Sequence, residues 1–342
     1  MAKRPGMEDV AREAGVSLAT VDRVLNGREQ VRAGTAARVM AAAALLGHPA
    51  ARRVVVGEQN VPELRFGVVL HKQGQDFYRA FAEELVRAVA AARGVRGKLV
   101  LEFSASQAPS EMAGLLRSMV GRCDVLAATA VNHPEVTAAV EALSAQGLPV
   151  FSLLSDFAQG VRAGYVGLNN LKIGRTAAWI LGLAAKGPGK VAVFVGGHRW
   201  HGHELRETGF RAYLRECAPQ LEVLDTMVNL ETRALTYDAT QALLLRQPDL
   251  RGIYVAGGGM EGAIAALREV KVPGSVALVV SALTPDSRTG LAEGVVTMVT
   301  DTPLEKLCRD LVEMMRLAVR DGVGPNGIQH FLQPDLHVAE SI

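Results

Sequence analysis

Glu8-Asp9-Val10-Ala11-Arg12-Glu13-Ala14-Gly15-Val16-Ser17-Leu18-Ala19-Thr20-Val21-Asp22-Arg23-Val24-Leu25-Asn26-Gly27 is the stretch on which the reading of this chain turns. Val10, Ala11 and Ala14 share one face of a helix. Gly15 closes that helix, because a glycine takes the left-handed conformation without penalty. Ser17 is placed to cap a second helix by accepting from the backbone N–H of Thr20. Val21, Val24 and Leu25 form the buried stripe of that second helix, and Asn26-Gly27 ends it. Helix, tight glycine turn and capped helix make a helix-turn-helix, whose second helix enters the major groove with its N-terminal residues against base edges.

The charge distribution points the same way. The chain of 342 residues holds 37 Lys/Arg and 35 Asp/Glu, a net charge of +2. Residues 1–56 hold nine basic and five acidic side chains, and the remainder 28 and 30. A basic head on a mildly acidic body predicts an anionic partner for the head alone. With 49% hydrophobic and 21% charged residues the composition is globular. Cys123, Cys217 and Cys308 are odd in number and far apart, which fits neither a disulfide framework nor a zinc knuckle. Three buried thiols are expected. The N-terminus lacks the apolar core of an export signal and no 18-residue apolar run occurs, so a cytoplasmic protein is expected.

Outward from the head, residues 7–47 read as three helices. Residues 49–63 carry two prolines and no helical periodicity, and read as a hinge or linker. From Leu64 onward short apolar runs alternate with amphipathic stretches. Strands are predicted at 64–70, 98–103, 124–128, 149–154, 189–195, 222–228, 252–256, 275–281 and 295–300. Helices are predicted at 78–93, 134–145, 170–185, 203–216, 231–246 and 303–321. This alternation predicts an α/β domain with parallel sheets, behind a small all-α head.

The first fifty residues resemble the lactose-repressor (LacI/GalR) family of bacterial transcriptional regulators. The resemblance is carried by Asp9-Val10-Ala11, Ala14-Gly15-Val16-Ser17, Thr20-Val21, Arg23-Val24-Leu25-Asn26, Val31, Thr35, Arg38-Val39 and Leu46-Gly47. It implies that Leu18, Ala19 and Arg23 face bases, and that Ser17, Thr20, Asn26 and Arg32 lie near phosphates. Leu18 and Ala19 suit a thymine methyl, which leaves Arg23 as the hydrogen-bonding reader, ideally bidentate to guanine. Asp22 departs from the family's usual serine and is expected to brace Arg23. The resemblance also implies a hinge helix that orders on DNA. Arg52 matches the family's arginine there, but Val54-Val55-Val56 are poor helix formers and no leucine stands at the wedge position.

The remainder resembles the sensor of the same family, which shares its fold with periplasmic sugar-binding proteins. That implies residues 64–342 form two α/β lobes joined by three crossing segments, with a small effector between them. Lobe 1 is expected at 64–165 plus 298–324, and lobe 2 at 166–297 plus 325–342. Ligands bind beyond the carboxyl ends of such strands, which nominates Gln75, Asp76, Phe77, Tyr78, Asn132, Asp156, Gly258, Ser281 and Asp301. Asn169 matches the start of the second lobe's first helix. Arg206 stands three residues before Gly209-Phe210, where the family places an arginine that forks onto ligand oxygens. Ala282 stands where many relatives carry an acid that grips sugar hydroxyls, which shifts expectation toward a ligand that is less hydroxylated or bears a negative charge for Arg206. The resemblance implies a homodimer on palindromic operator DNA, with a carbohydrate-like effector and repression as the usual outcome.

Two motifs compete with this reading. Gly257-Gly258-Gly259-Met260-Glu261-Gly262 satisfies G-x-G-x-x-G after a strand, so an NAD-binding enzyme is one alternative. The next strand ends in Ser281 rather than the acid a dinucleotide site needs, which favours close backbone approach in the cleft. His198, His201 and His203 lack the i, i+4 spacing of a helical zinc site. No Ser/His/Asp arrangement stands out, and neither cofactor nor metal is expected. A solute-binding protein without DNA function is the other alternative, and the basic head argues against it.

Overall fold

In the computed structural model Asp9 accepts from the Gly6 backbone N–H at 2.9 Å and so caps the first helix, α1 (Met7–Ala14). Gly15 follows it at φ +63, in the left-handed region. The structure describes residues 5–26, 31–48, 61–269, 274–324 and 327–342. Most of the expected linker, Arg52 included, lies outside them. The chain divides into two compact units, residues 1–63 with 94–96 and residues 64–93 with 97–342.

In the small unit α2 (Leu18–Asn26) and α3 (Ala33–Leu45) complete a three-helix head. Val10, Ala14, Val21, Val39, Ala42 and Ala43 form its core, with Val24 and Leu25 packed at the rim. The predicted stripe of α2 is therefore the face that holds the head together.

The large unit contains two sheets. The first is built from β1 (Glu63–His71), β2 (Arg96–Ser104), β3 (Val125–Ala128), β4 (Val150–Leu153), β5 (Gly164–Leu168) and β12 (Ile328–Leu332), in the order β12-β5-β4-β3-β1-β2. The second contains β6 (Gly189–Val195), β7 (Leu221–Val223), β8 (Met227–Val228), β9 (Leu250–Val255), β10 (Ala277–Ser281), β11 (Met298–Asp301) and β13 (Asp335–His337), in the order β13-β11-β10-β9-β6-β7 with β8 also on β6. The second sheet is parallel except where β13 runs antiparallel to β11. The helices are α4 (Asp76–Ala90), α5 (Pro109–Arg117), α6 (Pro134–Ala145), α7 (Asn170–Ala184), α8 (His201–Cys217), α9 (Arg233–Arg246), α10 (Met260–Arg268), α11 (Pro285–Ala292) and α12 (Leu304–Asp321).

The continuous apolar runs reflect sheets covered on both faces. Phe194, Ile253, Val255, Leu278 and Val280 pack with Ile264 on one side of the second sheet. Val193, Tyr254 and Val279 pack with Leu181 and Phe210 on the other. Three segments cross between the lobes: β5 leads to α7, β11 to α12, and β12 to β13.

The lobe boundaries differ from expectation at the crossings. Residues 298–301 belong to the second sheet, and 164–168 and 328–332 to the first. Strand β5 was hidden by its glycines. A Cβ on Gly164 would lie 2.9 Å from both the Ile328 carbonyl and the Phe151 ring, and one on Gly167 would lie 2.4 Å from the Tyr165 hydroxyl. Close packing keeps these positions small and removes the apolar alternation that marks a strand. Cys123 and Cys308 are buried as expected, but Cys217 at the end of α8 is exposed. Among the described residues no helix is long and apolar enough to cross a membrane.

Candidate functional site

The head presents one polar helix end. Ser17 Oγ accepts from the Thr20 backbone N–H at 3.2 Å and lies 2.9 Å from Thr20 Oγ1, so the sequence-predicted cap is formed. Ser17, Leu18, Ala19, Arg23 and Asn26 are exposed, and Thr20 and Asp22 are half-buried. Arg32 is exposed at the start of α3. Asp22 Oδ1 accepts from Asn26 Nδ2 at 2.6 Å, one turn along the helix. The expected bracing partner was Arg23, and the bond described here ties Asp22 to Asn26.

The large unit holds a cavity of about 100 Å³ between its two lobes. Its walls are the carboxyl ends of strands from both sheets. From the first lobe come Gln75, Asp76, Phe77 and Tyr78 beyond β1, Thr129 beyond β3, and Leu154 and Ser155 beyond β4. From the second come Asn170, Trp200, Gly202, His203, Arg206, Glu231, Gly257–Glu261, Ser281, Ala282 and Thr284. Thr302 reaches it from the crossing segment after β11. The lobes touch across it: Gln75 Nε2 donates to the Glu231 carbonyl at 2.9 Å, Lys72 Nζ to the Leu230 carbonyl, and Asn170 Nδ2 to the Leu154 carbonyl at 3.0 Å.

Arg206 is the most firmly positioned cation in the cavity wall. Its Nε donates to Asn170 Oδ1 at 2.7 Å, and its Nη1 to the Ala256 carbonyl at 2.6 Å and Ser281 Oγ at 3.0 Å. Two glycines make this possible. A Cβ on Gly174 would lie 1.8 Å from the Arg206 carbonyl oxygen, and one on Gly209 would lie 2.1 Å from the Leu171 carbonyl oxygen. The missing side chains let α7 and α8 pack backbone to backbone, which brings Asn170 to the guanidinium. These three bonds fix the guanidinium in the cavity wall.

Around it stand polar atoms without partners. Thr129 Oγ1, Trp200 Nε1, Glu231 Oε2 and both ring nitrogens of His71 are buried with no hydrogen bond among the described residues. Burial lowers the pKa of His71 to about 4 and of His203 to about 3, so both rings are neutral at pH 7. His203 Nδ1 accepts from the Gly196 backbone N–H at 3.1 Å. Burial raises the Glu231 carboxyl above its ordinary value. Tyr78, Phe77, His71, Trp200 and His203 form a chain of rings with centroids 5.2–6.1 Å apart. Desolvated polar groups beside aromatic faces make a site for a small ligand that is polar at its edges and apolar on its faces.

Seven of the eleven residues nominated for the effector line this cavity: Gln75, Asp76, Phe77, Tyr78, Arg206, Gly258 and Ser281. Four do not. Asp156 is buried in an ion pair with Arg162 (Nη2 to Oδ2 2.7 Å) and also accepts from Ser152 at 2.6 Å and Gln159 at 2.9 Å. Burial pushes its carboxyl up, but these three partners outweigh burial and hold the pKa below the ordinary value. It braces the loop after β4. Asn169 caps α7 through the Lys172 N–H, and its neighbour Asn170 is the one that faces the cavity. Asn132 is exposed, with its N–H on the Arg199 carbonyl. Asp301 accepts from the backbone N–H groups of Leu283 and Thr302 and so shapes the crossing segment.

Glu231, His71, Trp200 and Thr129 were not nominated. His71 ends β1 behind the cavity wall and the other three sit past a strand or in a loop at the same sheet edge, where the strand-end rule would have found Glu231 and Thr129. The glycines of Gly257–Gly262 are packed against protein. A Cβ on Gly257 would lie 2.5 Å from the His203 ring, one on Gly258 3.1 Å from Glu231, and one on Gly262 2.1 Å from the Arg233 carbonyl. They permit close packing of protein on protein.

Comparison with known proteins adds two matches that divide the chain as its charge does. Residues 6–49 match the family described as bacterial regulatory proteins, lacI family, and residues 66–322 match the periplasmic binding protein domain. The chain is 28% identical over 290 residues to an HTH-type transcriptional regulator, GntR, of Pseudomonas aeruginosa, covering 80% of this chain and 78% of that one. Among solved structures it is similar to GanP, a glucose-galactose binding protein from Geobacillus stearothermophilus, with a TM-score of 0.73 and 17% identity over 82% of this chain and 99% of that one. A transporter solute-binding protein from Agrobacterium vitis, bound with alpha-D-tagatopyranose, gives a TM-score of 0.74 and 17% identity over 81% and 95%.

Proposed function

We propose that this chain, which belongs to the lacI family of bacterial regulatory proteins and carries a periplasmic binding protein domain, is a repressor released from or driven onto its operator by a sugar-like effector. The observation that carries the effector class is the cavity wall. The Arg206 guanidinium and the unpartnered atoms of Thr129, Trp200 and Glu231 offer donors and acceptors in turn, and Phe77, Tyr78 and Trp200 offer ring faces. A polyhydroxylated ring satisfies both sets at once. The sugars named for the structural relatives support this reading.

On the head, Arg23 reads guanine, Leu18 and Ala19 contact thymine methyls, and Ser17, Thr20, Asn26 and Arg32 meet phosphates. One such head covers a short half-site, so the operator is a palindrome read by a homodimer. The effector acts by linkage: it binds one lobe arrangement more tightly and shifts the population of the DNA-competent dimer by that difference in affinity.

A thermal-shift screen of neutral sugars, polyols and sugar acids tests the sensor. A ligand present at 100 times its dissociation constant raises stability by about 2.7 kcal/mol. Binding of NADH, with no response to any sugar, would overturn the assignment in favour of an enzyme.

A further inference from the structure

Glu231 sits on a turn that the chain makes at some cost. Leu230 and Glu231 adopt φ +50 and +55, a left-handed pair without a glycine. Asn229, itself buried, holds the turn: its Oδ1 accepts from the Glu231 N–H at 2.9 Å, and its Nδ2 donates to Thr236 Oγ1 at 3.0 Å and the Gly258 carbonyl at 2.9 Å. The result is a carboxylate delivered into the cavity wall with its side chain 7% exposed.

The two oxygens have different fates. Oε1 accepts from the Gly258 N–H at 3.2 Å. Oε2 is buried and has no partner. The His71 ring stands 3.8 Å from it and the His203 ring 3.7 Å from Oε1, both too far for a hydrogen bond. Lys72 is turned to the Leu230 carbonyl. Asp76, on the opposite wall, is engaged by Arg79. A buried carboxylate oxygen left open in this way is costly unless something binds it. The Arg206 guanidinium stands elsewhere on the wall.

We propose that Glu231 is a specificity-determining residue of the cavity: Oε2 accepts a hydrogen bond from a hydroxyl or ammonium group of the effector, and the same oxygen turns away a ligand that presents a carboxylate there. This rests on the cavity being the effector site. It narrows the class to neutral or amino sugars and sets aside the sugar acids that Arg206 alone would favour.

The test is calorimetric titration of the full chain with D-galactose, D-galactosamine and D-galacturonate, and with the matching glucose series. The expected result is that a neutral or amino sugar binds the wild type and binds Glu231→Gln at least tenfold more weakly, while the uronate gains affinity in the variant. Gln keeps an oxygen for Gly258 but loses the free charge. The unliganded variant is expected to melt at or above the wild-type temperature, whereas a merely structural Glu231 would lower it. Equal affinities in both proteins would overturn the proposal. So would a wild-type preference for the uronate, which can be read even if the variant fails to fold. Binding by no member of either series would overturn both the proposal and the sugar reading beneath it.

Discussion

Gly174→Ala puts the positioning of Arg206 to a direct test. The added methyl would stand 1.8 Å from the Arg206 carbonyl oxygen. Ordinary contact lies near 3.5 Å, so α7 and α8 must part by roughly 1.5 Å. The Arg206 bonds of 2.6–3.0 Å cannot all survive that displacement. Overpacking costs about 1–3 kcal/mol, and each lost charge-assisted bond costs about 1.5–3 kcal/mol. The better helix propensity of alanine returns about 1 kcal/mol. The net expectation is a loss of about 2–4 kcal/mol, read as a fall in Tm of about 5–15 °C. Gly114→Ala is the matched control, since Gly114 is in helix α5 with nothing within 4 Å of the added atom. It should stabilise by about 0.5–1 kcal/mol. Urea and thermal melts of both variants decide the matter. Equal stabilities for the two would refute the claim that backbone contact of α7 with α8 sets the site.

Other outcomes follow from the same structure. Asp156→Ala should cost about 3–5 kcal/mol in urea melts by stranding buried Arg162, yet leave effector affinity in the folded protein near wild type. Because His71 and His203 are held neutral with lowered pKa values of about 4 and 3, the unfolded chain takes up their protons first as pH falls below 6.5. Stability is therefore lost on acidification, by up to about 1.4 kcal/mol per histidine per pH unit, and melts at pH 7.5 and 5.5 should show a smaller loss in His71→Asn. Protonation of Glu231, which faces both rings, works in the opposite direction. Arg23→Ala should relax operator selectivity by about 1–3 kcal/mol, measured by anisotropy on half-site variants. Ser17→Ala should lower head stability by about 1 kcal/mol through loss of the Thr20 cap.

The head was legible nearly residue by residue because its signals are local. A glycine at φ +63 and a serine cap need only their neighbours. Most strands were legible because a sheet buried on both faces leaves an unbroken apolar run. Strand β5 was not, since Gly164 and Gly167 answer to Phe151, Ile328 and Tyr165, partners set by the tertiary fold. The split of 222–228 into β7 and β8 was likewise invisible from apolar content. In the cavity, strand ends pointed to the right edge of each sheet, but polarity alone could not tell a lining group from a brace. Asp156 is taken by Arg162, 6 residues along. Asn169 and Asn170 differ only in which way the first turn of α7 faces. Glu231 was passed over because the apolar periodicity assigned it to the helix predicted at 231–246, which begins at Arg233.

Selection of binding sites from a random duplex library, with and without the sugar series, tests the central claim most directly. The account predicts enrichment of an inverted repeat whose occupancy changes with one sugar and falls by about 10³–10⁵ between 50 and 200 mM salt if some 6–10 phosphates are contacted. Recovery of no repeated motif above bulk fragments, with or without sugar, would contradict it.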